Sequence, residues 1–119
     1  MTEHSDEAMQ KMHELDTLLS HVWMVRTFIK HSEEAEEDDE LRDVHRALYD
    51  FMLALGAPLK AGDAEAYVKQ AKKKIRKLRE AVELYDEIQP EISNHTNFLM
   101  AGTSLRTSVA QIDSILSAQ

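Results

Sequence analysis

The stretch HSEEAEEDDELRDVHRAL, residues 31–48, decides how this chain folds. No glycine or proline occurs before residue 56, so residues 1–55 form either one long rod or two helices joined by a corner. Upstream, Leu15, Leu18, Val22, Val25 and Ile29 recur at alternating steps of three and four, with Met12 and Leu19 beside them. That is the stripe of an amphipathic helix. Downstream, Leu41, Val44, Leu48, Met52 and Leu55 form a second stripe. At about 100° per residue, the second stripe sits roughly 80° away from the first. Residues 30–40 between them are polar except for Ala35. The phase shift predicts a corner near residue 36; continuous helix through 30–41 would imply an extended dimer instead.

Beyond residue 55, GAPLKAGDAEAY (56–67) holds two of the three glycines and one of the two prolines, and reads as a loop with Asp63 as the next N-cap. A third stripe runs Ala64, Val68, Ala71, Ile75, Leu78, Val82, Tyr85. Pro90 suits the first turn of a fourth helix carrying Phe98, Gly102, Leu105, Val109, Ile112 and Leu116. The expected helices are therefore 12–29, 41–55, 64–88 and 91–116, with corners near 36, 60 and 90. Short connections between amphipathic helices favour an all-α, antiparallel up-down-up-down four-helix bundle. It is read as one domain, 1–119, with residues 1–8 frayed.

Composition narrows the function classes. The absence of cysteine excludes disulfides, thiolate metal sites and cysteine nucleophiles. A net charge of −8 argues against duplex nucleic acid as a partner. No apolar run approaches the length of a membrane span, and residues 1–20 do not read as a signal peptide, so a cytoplasmic protein is expected. Residues 33–40 hold seven carboxylates, and residues 69–79 hold seven of the fourteen Lys and Arg. Both blocks read first as solvated helix faces; the second reading is an electrostatic partner surface.

One polar layer stands out. In antiparallel helices Arg26, His45, Tyr85 and the pair Glu91/His95 fall at the same end, each on an inward face. A buried guanidinium needs a partner, so an Arg26–Glu91 ion pair is expected, with His45 and His95 as neutral imidazoles beside it. Such a layer fixes the register of a bundle. The alternative is an interior metal or small anionic ligand site near His45 and His95, with Glu91 as the third metal ligand. The paired Glu-x-x-His signature of di-iron bundles is absent, because Arg42 and Ile92 occupy those positions.

His21, Trp23, Met24 and Phe28 lie at or outside the edge of the first stripe and are expected to form an interface with a protein partner or a second copy. No nucleophile elbow or phosphate-binding glycine motif is present. These residues suggest a non-catalytic binding or regulatory module with no cofactor. A further resemblance is to histidine-phosphotransfer domains: LRDVHRALYDFMLALGA (41–57) looks like their phospho-accepting helix, which would make His45 the acceptor. The likeness covers one helix, and Leu48 and Tyr49 replace the lysine and glycine usual after that histidine.

Overall fold

A computed structural model describes the backbone of residues 3–118 and the side chains of residues 6–118. Among the described residues the chain is all-helical: α1 (Glu3–Lys30), α2 (Glu33–Glu37), α3 (Asp39–Ala61), α4 (Ala64–Ile92) and α5 (Thr96–Ser117). Of residues 1–8, residues 1 and 2 lie outside the described part and α1 opens at Glu3.

The corner after α1 is a double one. Ser32 caps α2 by accepting from the Ala35 N–H at 3.2 Å, while its own hydroxyl donates to the Ile29 carbonyl at 2.7 Å. Asp38 then starts α3 by accepting from the Leu41 N–H at 2.8 Å. Two side-chain caps six residues apart stop the helix twice, which is why carboxylates that tolerate helix do not carry it through. Ala35, the one apolar residue of the segment, is buried and anchors α2.

The other two corners fall later than expected. α3, the second long helix, runs past Gly56 and Pro58 to Ala61, and stops at Gly62 in the left-handed region (φ 68°). There the Gly62 N–H donates to the Leu59 carbonyl and the Asp63 N–H to the Pro58 carbonyl at 2.9 Å, closing the helix end. Asp63 caps α4 by accepting from the Ala66 N–H. Pro90 lies in the last turn of α4, not the first turn of α5. An exposed proline there forgoes only its own backbone bond, while Ile88 and Ile92 extend the apolar stripe. Gln89 Nε2 donates to the Ser93 carbonyl at 2.8 Å, and the chain turns at Ser93–His95.

The core is formed by the stripes read above: Val22, Ile29, Leu41, Val44, Leu48, Leu78 and Leu105 are fully buried. α1 packs against α3 and α5 and touches α4, while α4 packs against α3 and α5. The particle is elongated, 50 × 23 × 19 Å. Gly102 lets the Tyr85 ring cross α5 closely; a Cβ there would lie 3.2 Å from the ring. No helix among the described residues is long and apolar enough to cross a membrane.

Candidate functional site

The site grows from two stripes that meet where α1 packs on α3. Trp23, Arg26 and Lys30 are spaced three and four apart on α1, and His45 and Tyr49 are four apart on α3. Helical geometry puts each set on one flank. Trp23 and Tyr49 stand across the groove with ring centroids 6.4 Å apart and planes inclined by 42°. The Arg26 guanidinium sits in the notch they form, its Cζ 4.7 Å from the Trp23 ring and 4.8 Å from that of Tyr49. Both rings remain partly open to solvent, Trp23 being 41% and Tyr49 37% exposed.

This changes the expected partner of Arg26. Glu91 is exposed and forms no ion pair with it among the described residues. Two π faces take the place of the carboxylate, an interaction worth on the order of 0.5–2 kcal/mol per ring. They leave Arg26 Nε buried without an acceptor among the described residues. The long side chain reaches sideways along the groove instead of inward, so its cationic head joins the α1–α3 flank.

His45 is half-buried on the same flank. Loss of hydration pushes its pKa below the usual 6.5, and Arg26, Arg46, Lys30 and Arg42 push it the same way. The imidazole is therefore neutral at pH 7. Arg42 is committed locally: it pairs with Asp39 and donates to the carbonyls of Ala35 and Glu36 at 2.8 Å, fastening α2 to α3. Arg46 lines the cleft on the far flank of α3 with Lys74 and Lys77, which leaves Arg26 and Lys30 as the groove's cations without an ion pair among the described residues.

The other members of the expected polar layer lie elsewhere. His95 is exposed and caps α5, its Nδ1 accepting from the Asn97 N–H at 3.0 Å. Tyr85 is buried, but its hydroxyl donates to the Phe98 carbonyl at 2.7 Å rather than to an imidazole. Burial pushes that phenol up to about 12. The layer fails because the α4–α5 corner lies at Ser93–His95, beyond Pro90, which moves Glu91 and His95 out to the surface. No three His, Asp or Glu among the described residues converge on a metal position, so His45, His95 and Glu91 do not assemble one.

Of the expected interface set, His21 and Met24 face solvent, Trp23 lines the groove, and Phe28 packs edge-on against Phe98 at 4.9 Å. Tyr49 and Lys30 were not singled out by sequence reasoning. The available signal was their helical spacing from His45 and Arg26.

A family model described as cobalamin adenosyltransferase matches residues 1–114. The chain belongs to the cobalamin adenosyltransferase family. No curated protein and no solved structure matches it. Membership overturns three expectations: a non-catalytic interaction module, a chain without a cofactor or substrate of that class, and the likeness to a histidine-phosphotransfer domain. It also replaces the interior ligand site near His45 and His95, whose two imidazoles the structure keeps apart.

Proposed function

We propose that the protein transfers an adenosyl group from ATP to cobalamin, and that the α1–α3 groove receives the nucleotide. The observation that carries this reading is the family match over residues 1–114. In such a transfer a cobalt–carbon bond forms at C5′ of the ribose while the C5′–oxygen bond breaks. The leaving triphosphate takes the electron pair of the broken bond. The cobalt supplies the pair for the new one, so cobalamin must arrive reduced to Co(I). The nucleophile therefore belongs to a substrate, and the protein's share is to bind, orient and balance charge.

The groove suits that share. A chain of net charge −8 repels a polyphosphate except where cations gather. It has no glycine-rich loop, so side chains must hold the phosphates. Arg26 and Lys30 provide them, and charge gathering on the departing triphosphate strengthens their hold. The open faces of Trp23 and Tyr49 supply a stacking surface for adenine, worth roughly 1–3 kcal/mol per base. Neutral His45 can share a hydrogen bond with ribose or phosphate.

The same reading includes one domain over residues 1–119, four long helices alternating in direction, and a cytoplasmic setting. The short connections and the pairing of α1 and α4 with α3 and α5 support the alternation.

The test is turnover under anaerobic reduction with ATP and Co(I) cobalamin. Protein-dependent formation of adenosylcobalamin is expected; its absence at saturating substrates refutes the activity. Trp23 is the only tryptophan, so its fluorescence reports on the groove. ATP should quench it, and turnover without quenching would move the nucleotide elsewhere.

A further inference from the structure

Among the described residues Arg42, Arg76, Arg79 and Arg106 each reach a carboxylate, and Arg26 reaches none. Its guanidinium lies over two rings at once, with Cζ 4.7 Å from the centre of Trp23 and 4.8 Å from that of Tyr49. The ring centres are 6.4 Å apart, so the guanidinium fills the notch between them. This resting place leaves a donor unserved, since Nε is buried without an acceptor among the described residues. A cation held only by π faces gains when an oxyanion comes within reach, because charge-assisted hydrogen bonds to phosphate are roughly twice as strong as neutral ones. Lys30 lies one helical turn further along α1, also without an ion pair there, so a polyphosphate is drawn to that end of the groove.

A flat base has the opposite relation to the notch. Through their exposed parts a base can touch either ring, but it can meet both at once only where the guanidinium lies. Base and guanidinium compete for one place, while phosphate and π faces compete for one cation.

On the nucleotide reading of the groove, on which this step rests, we propose that Arg26 is a specificity-determining residue. It closes the notch to an adenosyl group that arrives without phosphate, and opens it when a polyphosphate draws the guanidinium off the rings. The groove then selects adenosine carrying a triphosphate over adenosine alone. The same exchange runs backward at the end of a turnover. Once the C5′–oxygen bond has broken, the triphosphate and the adenosyl group are separate. When the triphosphate leaves, the guanidinium returns to the rings and displaces the adenine of the product. Binding free energies are reciprocal, so polyphosphate and adenosyl group strengthen each other's hold by the same factor.

The two halves of ATP test this. 5′-Deoxyadenosine and tripolyphosphate together hold the heavy atoms of ATP, divided at the C5′–oxygen bond. Quenching of Trp23 by 5′-deoxyadenosine is titrated on the wild-type chain with and without saturating tripolyphosphate, at matched ionic strength. Tripolyphosphate should tighten the nucleoside about tenfold, roughly 1.4 kcal/mol, the order of two ring contacts given up together. Arg26→Ala should bind 5′-deoxyadenosine about tenfold more tightly than the wild type and be indifferent to tripolyphosphate. The same variant should hold ATP less tightly, because the lost phosphate contact outweighs the freed notch. A residue that only packed the groove would move both ligands the same way. Nucleoside binding indifferent to tripolyphosphate in the wild type overturns the proposal, and needs no variant to fold. Nucleoside binding weakened together with ATP binding in Arg26→Ala also overturns it. If ATP still quenches Trp23 beside either result, only the role of Arg26 falls; ATP without quenching overturns that role and the nucleotide reading together.

Discussion

Among the described residues Tyr67 and Tyr85 are the two largest fully buried side chains, each 1% exposed, and their hydroxyls are in opposite states. Tyr85 donates to the Phe98 carbonyl at 2.7 Å and ties α4 to the first turn of α5. The Tyr67 hydroxyl is buried with no partner among the described residues. The same substitution should therefore have opposite signs. Tyr85→Phe loses a good hydrogen bond, costing about 1–2 kcal/mol. Tyr67→Phe removes a hydroxyl whose desolvation is uncompensated, a penalty of about 1–3 kcal/mol in protein mutational series. Relaxation around the site returns only part of that, so a gain of about 1 kcal/mol is expected. At this chain length 1 kcal/mol moves Tm by roughly 3–6 °C. Urea unfolding of the two variants beside wild type, with unchanged m, gives both signs in one experiment. Equal destabilisation by the two substitutions would refute the reasoning, since it would mean that Tyr67 has a partner as good as that of Tyr85.

Three further outcomes follow from named residues. Because the His45 pKa is lowered in the folded state, the unfolded chain binds the proton more readily, and stability should fall as pH drops below 6.5. His45→Gln should flatten that loss in urea midpoints taken from neutral pH downwards. The Tyr85 phenol, raised to about 12, gives stability present below its usual value of 10.0 and lost as pH climbs through the folded value; alkaline melts of Tyr85→Phe should lack that component. Gly62→Ala forces a side chain into a φ of 68° and should cost about 1–2 kcal/mol in thermal unfolding.

The buried stripes and the Asp63 cap were legible because periodicity and capping are local. The ends of α3 and α4 were not. Pro58 and Pro90 look like breakers in sequence, but each lies near a helix end, away from the core, where the neighbouring apolar stripe continues. A corner at Pro90 would carry Glu91 and His95 inward; the one at Ser93–His95 leaves both exposed. Helical phase identifies Arg26 as unusual but not its partner, because it gives the direction of Cβ and not the reach of a long side chain. Its true neighbours, Trp23 and Tyr49, lie on the flanks of their stripes, where periodicity ranks them as surface. The proposed activity leaves no motif in the sequence, because its chemistry comes from the substrates. A chain that positions ATP beside a cobalt nucleophile needs no elbow, metal cluster or acid pair of its own.

The groove can be probed with little disturbance to the fold. Arg26→Met keeps the packed stem and removes the orphaned Nε, so stability should stay within about 1 kcal/mol of wild type. Loss of the cation should weaken ATP quenching of Trp23 by at least about tenfold, an effect of roughly 1.4 kcal/mol.

The most direct measurement follows label from ATP carrying the isotope at C5′, incubated anaerobically with Co(I) cobalamin and the purified protein. Label in a light-sensitive corrinoid, released with free triphosphate in equal amount and depressed in Arg26→Met, is the predicted result. Label that stays in the nucleotide while the protein is folded would contradict it.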